Sequence, residues 1–245
     1  MPTDNAAAWD RHAAAYQAGA RLPTDVAHYG PDIGTEADFK LCGNVDGKRV
    51  LELGCGGAQC SIAFARQGAN AIGVDISNEQ LAFAKRLVDR EGVKVELRHG
   101  DLADLAFVQA DTMDIVFSAY AFGYVEDLDR VFRQVHRVLK PEHPLVFSLP
   151  HPAYDMIDDD ADPALLIRRS YFDRAPIEYE RNGVRFTDYR HTVSDLFTSL
   201  SRANFRVDTI LEPEPLAEGP RSQHWRPTYA HVPRTLILRA RKQGI

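Results

Sequence analysis

Short apolar runs and longer amphipathic stretches take turns along the first two thirds of the chain, and this alternation restricts the fold more than any other feature. Arg49–Leu53 reads as a strand, glycines follow, and Ser61–Gln67 reads as a helix. Asn70–Val74 is a second strand that ends at Asp75. Ser77 or Asn78 caps a helix that runs to about Arg90, with Leu81, Ala84, Leu87 and Val88 on one face. Val93–Arg98 and Met113–Phe117 are the third and fourth strands. Leu128, Val131, Phe132, Val135, Val138 and Leu139 repeat at helical spacing until Pro141. Leu145–Leu149 is a fifth strand, stopped by Pro150. A β-α-β rhythm of this kind implies a parallel sheet with helices on both faces.

The rhythm breaks after Pro150. Residues 151–190 are rich in charge, aromatics and proline and show no clean period. Thr192–Ala203 then resembles an amphipathic helix, and Arg206–Leu211 and Thr235–Ala240 resemble strands. The segment 212–233 between those strands carries five prolines. At the other end, Ala6–Ala18 is alanine-rich and helical by propensity, with Trp9, Ala13 and Tyr16 near one face. The 245 residues read as one domain. It has a helical cap over 1–44, a core over 45–150, an insertion over 151–190 and a final helix and strands over 191–245.

Ligands in such sheets bind beyond the carboxyl ends of the strands. The chemistry is therefore sought at 54–57, 75, 101, 118 and 150. Gly54 and Gly56 let a ligand approach the backbone closely and permit unusual backbone angles. Several nucleotide-binding folds share such a loop. Glu52, just before it, opposes a pyrophosphate and suits a cationic ligand. Asp75, 21 residues after Gly54, can accept from both hydroxyls of a ribose. Asp101, in His99-Gly100-Asp101-Leu102, can accept from an adenine amino group while Leu102 offers a backbone amide. Acids at three consecutive strand ends fit adenosine with a positively charged tail.

At these residues the chain resembles the class I methyltransferases that use S-adenosylmethionine, in the broad group of ubiquinone- and natural-product-type small-molecule enzymes. The matching pieces are Glu52-Leu53-Gly54-Cys55-Gly56, Gly73-Val74-Asp75-Ile76-Ser77, Gly100-Asp101-Leu102, Asp114-Ile115-Val116-Phe117-Ser118 and Arg137-Val138-Leu139-Lys140-Pro141, over about 45–150. Trp9-Asp10 with Ala13 and Tyr16 is similar to the group's N-terminal signature, whose tyrosine lies over the cofactor. The resemblance implies an α/β fold with a Rossmann-like, seven-stranded, mostly parallel sheet, Thr235–Ala240 supplying the antiparallel strand. It implies S-adenosylmethionine as cofactor and S-adenosylhomocysteine as product. The contacts expected are Tyr16, Glu52, Gly54, Cys55, Gly56, Asp75, Ile76, Gln80, Asp101, Leu102 and Ser118. Ala58 stands where the family often has a third glycine, so the loop backbone is expected to differ slightly there.

Methyl transfer is an in-line displacement at a sulfonium carbon, so the protein positions the acceptor and manages its proton. An alcohol acceptor needs a general base, and histidine titrates nearest neutrality. His151, between Pro150 and Pro152 after strand five, is the first choice, and His191 the second. An amine acceptor needs little beyond orientation. Tyr120, Tyr124 and Tyr154 are expected to line the acceptor pocket, and Glu36 to face it or the cofactor from the N-terminal cap. His12 is expected to pack against the fold. The insertion is expected to cap the pocket with its aromatic residues. Its arginines, Arg168, Arg169, Arg174, Arg181 and Arg185, read as solvated surface, and one facing the pocket would point to an acidic or polyol acceptor.

Charge narrows the partners. The formal net charge is −6, and no long basic block is present. Strand four ends in Phe117-Ser118-Ala119-Tyr120, where enzymes that methylate DNA amines carry an Asp/Asn-Pro-Pro-aromatic run. A small molecule is thus expected as acceptor, with no nucleic acid and no membrane. Cys42, Cys55 and Cys60 lack paired spacing, which argues against disulfides or zinc and suits a cytoplasmic protein. Met1 to Asn5 lack an apolar leader character, and Asp158-Asp159-Asp160 reads as a solvated loop; no metal site is expected. A monomer or a homodimer is compatible with the sequence. Two other functions share some of these residues. A nicotinamide oxidoreductase would use Gly54, Gly56 and Asp75, but Gln59 stands where a third glycine or alanine belongs. A non-catalytic protein could keep the cofactor site without turnover.

Overall fold

The computed structural model describes residues 4–158, 165–219 and 221–244. In chain order the elements are α1 (Asn5–Ala20), α2 (Glu36–Phe39), β1 (Arg49–Leu53), α3 (Gln59–Arg66), β2 (Asn70–Asp75), α4 (Asn78–Glu91), β3 (Val95–His99), β4 (Ile115–Ala119), α5 (Leu128–Val138) and β5 (Pro144–Pro150). Then come β6 (Ile157–Asp158), β7 (Leu166–Ile167), β8 (Ile177–Arg181), β9 (Val184–Asp188), α6 (Val193–Arg202), β10 (Phe205–Leu211) and β11 (Thr235–Lys242). Seven strands form one sheet in the order β10-β11-β5-β4-β1-β2-β3. β11 runs antiparallel to both neighbours, and the pairs from β5 through β3 are parallel. This is the Rossmann-like sheet the sequence implies, with β11 in the expected antiparallel place.

Side-chain alternation explains the two layers. Leu51 and Leu53 of β1, Val116 of β4, Leu145 and Phe147 of β5, and Leu236 and Leu238 of β11 point to one face. There they meet Val131, Phe132 and Val135 of α5 and Leu196 and Leu200 of α6. Val50, Ile115, Phe117, Val146 and Ile237, one residue out of phase, point to the other face and pack on Phe64 of α3 and Tyr29. The period of two along each strand thus builds both cores from single runs.

Several element boundaries moved by a residue or two, as at α3, which begins at Gln59, and β3, which begins at Val95. β4 begins at Ile115, because Met113 makes only an isolated bridge with Leu139. The insertion contains order that its composition hides. β8 and β9 form a hairpin around Asn182 (φ 52°) and Gly183 (φ 73°), both left-handed, as a tight two-residue turn requires. Of the acidic run, Asp158 pairs with Arg168 at 2.7 Å, while Asp159 and Asp160 lie outside the described residues. Among the described residues no helix is long and apolar enough to cross a membrane.

Candidate active site

The strand order reverses between β1 and β4, and the loops that follow them part there into a crevice. Gly54 leaves β1 at φ +71°, and a Cβ on it would overlap the methyl group of Ala121 from the loop after β4. Gly56 (φ +51°) and Ala58 (φ +59°) carry the loop on into α3, so alanine adopts the left-handed angle where the family often has glycine. Asp75 holds this loop in place. Its Oδ2 accepts from Gly56 N–H at 2.8 Å and its Oδ1 from Ser77 N–H at 2.9 Å. Burial lifts its carboxyl above the usual range against these backbone hydrogen bonds, and Asp10 adds to the rise.

A cleft of about 1610 Å³ opens from this crevice. Drug-sized ligand pockets run from roughly 300 to 1000 Å³, so there is room for a cofactor and a second small molecule. Of the expected cofactor residues, Tyr16, Gly54, Gly56, Asp75, Ile76, Gln80, Asp101 and Leu102 line it. Asp101 Oδ1 accepts from Ala103 N–H at 2.8 Å, which fixes the carboxylate at the rim.

Three of the expected residues do not line the cleft. Ser118 is fully buried and its hydroxyl donates to Leu53 O at 2.9 Å, tying β4 to β1. Cys55 is buried under the loop, against the backbone of Gly73. Glu52 is the more instructive correction. It lies on the face of β1 that looks toward α3, and its Oε2 accepts from both the N–H (2.7 Å) and the hydroxyl (2.5 Å) of Ser61. A carboxylate thus already occupies the positive N-terminal end of α3, the place where dinucleotide folds receive pyrophosphate. Burial raises this carboxyl to about 7 against the opposing Ser61 bonds. Glu52 therefore disfavours a phosphate-bearing ligand by filling the anion site, with no direct contact to the cleft.

A lid closes one side of the cleft. α1, started by Asp4, whose Oδ1 accepts from Ala6 and Ala7 N–H, lies across the glycine loop and α4. Gln17 Nε2 donates to Gln80 Oε1 at 2.7 Å, and Gln59 Nε2 donates to Gln17 Oε1 at 2.7 Å, so three glutamines bind α1 to α3 and α4. Asp10 Oδ1 accepts from the Ser77 hydroxyl at 2.7 Å and adds a second tie. Tyr16 hangs from the underside, edge-on to Trp9 at 5.3 Å, and burial pushes its phenol up to about 12. Trp9 also packs edge-on against Tyr124 and Phe186, joining α1 to the β8–β9 hairpin. His12 packs against Trp9 and Phe186, as expected.

Beyond the cofactor residues the walls are polar and aromatic. Tyr120, Tyr124, Tyr154 and Tyr179 line this part, with Asp155, Asp188, Arg181 and Arg234. Tyr120 directly follows β4 at φ +59°, an unusual angle for a bulky residue, and its hydroxyl meets Thr235 Oγ1 at 2.5 Å. Asp188, at the end of β9, lies on the backbone of Gly123 just after β4, where any Cβ would strike its Oδ1. It has no hydrogen-bond or ion-pair partner among the described residues. Burial is the main cause that lifts it to about 7, and the nearby Asp155 adds to the rise. Asp155 is lifted to about 6, again chiefly by burial; Arg190 Nε, its ion-pair partner, stands 3.9 Å away.

The expected bases lie elsewhere. Neither His151 nor His191 lines the cleft. His151 is buried, its Nδ1 accepts from Ala153 N–H at 3.0 Å and its Nε2 faces Glu212 Oε1 at 2.8 Å. With Nδ1 accepting, the ring proton sits on Nε2 and is donated to Glu212, so both nitrogens are occupied. Burial lowers the ring's affinity for a second proton against the pull of Glu212. For His191, beside the start of α6, burial likewise lowers the ring's affinity for a proton, against the pull of Asp195 and Asp129. Glu36 also turns inward, its carboxylate holding Tyr29 OH and the N–H groups of Leu41 and Cys42. Asp155, Asp188, Arg234 and the glutamine ties are site features that composition did not disclose. The dipeptide Asn182-Gly183 between alternating apolar residues was the readable sign of the hairpin that carries Asp188.

The residues fit an adenosine with a cationic tail. The glycine cradle leaves no room for a Cβ at Gly54, Asp75 and Asp101 face the cleft at adjacent strand ends, and the anion site of α3 is filled by Glu52. Comparison with known proteins agrees. The methyltransferase domain family matches residues 50–142. An uncharacterized protein of Haemophilus influenzae is 27% identical over 83% of this chain and 85% of its own. The ubiquinone biosynthesis O-methyltransferase of Bordetella avium is 37% identical, over 44% of this chain and 45% of its own length. The chain thus spans less than half of that enzyme. An S-adenosylmethionine-dependent methyltransferase from Mesorhizobium loti superposes with a TM-score of 0.68 at 29% identity, over 84% of this chain and 95% of that one. The [4+2]-cyclase SpnF shares the fold alone, with a TM-score of 0.67 at 18% identity, over 99% of this chain and 97% of that one. The methyltransferase domain over 50–142, the fold and the cleft residues together support an S-adenosylmethionine-dependent methyltransferase of the class I kind, with S-adenosylhomocysteine as the cofactor's product.

Proposed function

We propose that this enzyme methylates the oxygen of a small molecule held in the outer part of the cleft, and that Asp188 takes up the acceptor's proton. The carrying observation is the carboxylate pair Asp188–Asp155, unmatched by hydrogen-bond donors among the described residues and lining the cleft beside the ends of β4 and β5. When bound, S-adenosylmethionine supplies an activated methyl group on a sulfonium. The loop Gly54–Gly56, Asp75, Asp101 and Tyr16 would hold it, with Ile76, Gln80 and Leu102 as the further walls. With the cofactor supplying the methyl group and sulfur keeping the bonding pair, the acceptor oxygen would be methylated and Asp188 would take up the hydroxyl proton. A carboxylate near 7 is matched to that task at neutral pH. The lid of α1 and the β8–β9 hairpin would exclude water and orient the acceptor.

An oxygen acceptor accords with the name of the Bordetella avium relative. The acidic net charge and the cleft's enclosure favour a small metabolite over nucleic acid or a membrane surface. The same carboxylates would also hold a protonated amine, which makes nitrogen the second reading. Incubation with methyl-labelled cofactor and a metabolite panel, followed by mass spectrometry of the products, separates the two. A labelled ether or ester supports oxygen; a labelled amine replaces it with nitrogen. Tight cofactor binding with no product across the panel would favour a non-catalytic role.

A further inference from the structure

A cleft arginine lacks an anionic counterpart among the described residues. Arg234 immediately precedes β11, and its backbone is held firmly: its C=O accepts from His151 N–H at 2.8 Å, and the next residue, Thr235, pairs with Pro150 and meets Tyr120. Arg234 lines the cleft, and its guanidinium sits over the ring of Tyr229, 4.5 Å from the centroid. Nη1 is buried with no hydrogen-bond partner, and no carboxylate lies within ion-pair distance among the described residues. Asp32, a cleft acid close enough to influence Tyr120 as Arg234 does, is already engaged by Ser222, through N–H at 2.7 Å and hydroxyl at 2.5 Å. Arg181, on β8, also lines the cleft without an ion pair among the described residues, its guanidinium 5.5 Å from the Tyr179 ring centroid. A buried guanidinium N–H left unmatched is costly, such groups normally find a hydrogen-bond acceptor, and a carboxylate or phosphate oxygen is the strongest one.

Taking the methyltransferase reading as given, we infer that the acceptor is a hydroxy acid whose carboxylate docks on Arg234. A guanidinium presents paired donors that match a carboxylate's two oxygens. Phosphate offers similar oxygens, but Asp155, Asp188 and Asp32 line the same cleft and would repel a dianion more strongly than a monoanion. The tyrosine walls give flat contact surface and hydroxyls for the body of the molecule. The carboxylate on Arg234, one residue from the Thr235–Tyr120 contact, fixes one end of the acceptor. Its hydroxyl then reaches toward Asp188 and the end of β4.

The test is calorimetric binding to the protein loaded with S-adenosylhomocysteine. The probes are hydroxylated aromatic and aliphatic carboxylates, each compared with its primary amide and its phosphate-bearing analogue. The wild-type protein is expected to bind at least one carboxylate about tenfold or more tightly than its amide. Arg234→Gln should reduce that preference to about twofold or less, and Arg234→Lys should retain part of it. S-adenosylhomocysteine affinity should not move in either variant, and should Arg234→Gln fail to fold, the wild-type comparison and Arg234→Lys carry the test. The inference is overturned if no carboxylate outbinds its amide, if the preference survives Arg234→Gln, or if the phosphate analogue binds most tightly. Those results leave methyl transfer untouched. Failure of the wild-type protein to bind S-adenosylhomocysteine would instead strike the methyltransferase reading itself.

Discussion

Alanine at Gly54 and alanine at Gly56 should differ sharply, although the two glycines belong to one loop. Both have left-handed backbone angles, φ +71° and +51°, which cost an L-residue roughly 1–2 kcal/mol. The loop already carries that strain at Ala58, φ +59°, so the angle alone is tolerable. The surroundings differ. A Cβ at Gly56 would find Gln17 Nε2 and Gln80 Oε1 at 3.7 Å, ordinary contact with flexible side chains. A Cβ at Gly54 would overlap the Ala121 methyl group, so the loops after β1 and β4 must separate. Overpacking of this kind adds about 1–3 kcal/mol. Gly56→Ala is thus expected to weaken cofactor binding by about tenfold, and Gly54→Ala by some hundreds-fold, with a larger loss of stability. Isothermal titration with S-adenosylhomocysteine and urea unfolding of both variants measure this. Equal effects, or a near-neutral Gly54→Ala, would refute the reasoning that Ala121 sets the width of the crevice.

Other substitutions separate site from scaffold. Asp188→Asn should lower kcat by about 10²-fold or more at pH 8 while leaving cofactor affinity within about twofold. In the wild type, kcat/KM should fall as pH drops below about 7, because the carboxyl then keeps its proton. The stability effect has the opposite sense. A carboxyl raised in the folded state binds its proton more tightly there than in the unfolded chain, so its contribution is present at low pH and is lost as pH rises through about 7. Urea unfolding should accordingly find Asp188→Asn more stable than wild type at pH 8. His151→Ala should cost about 1–2 kcal/mol of stability through Glu212 and Ala153, yet leave kcat/KM within about threefold; loss of turnover with unchanged stability would restore the histidine as base. Gln17→Ala removes both glutamine ties, at about 1 kcal/mol each, and should speed hydrogen exchange of α1 and weaken cofactor binding several-fold.

Sequence reading succeeded where the fold is local. The strands alternate with period two and α5 repeats at helical spacing, so both cores could be read from single runs. Gly54, Gly56, Asp75 and Asp101 sit at strand ends that topology brings to one edge, whatever the loops do. Direction was harder than position. Glu52 is at the expected strand end, but the alternation of β1 turns it with Val50 toward α3, where Ser61 takes its oxygens. His151 is at the expected edge of the sheet, and turns instead to Glu212, a residue 61 positions away. Asp188 and Arg234 were beyond reach for a related reason. Each becomes a site residue only when the hairpin folds onto Gly123 and β11 inserts beside β5, and neither contact leaves a local pattern.

The central claim is methyl transfer to an acceptor oxygen, with the proton taken by Asp188. Its most direct test is rapid-quench single turnover of the protein with methyl-labelled S-adenosylmethionine and the tightest-binding acceptor, wild type against Asp188→Asn, from pH 6 to 9. The label should appear on oxygen in the wild type at a rate that climbs through about pH 7, and this step should be slow in the variant. Label on nitrogen, or a wild-type rate and pH profile that Asp188→Asn leaves unchanged, would contradict it.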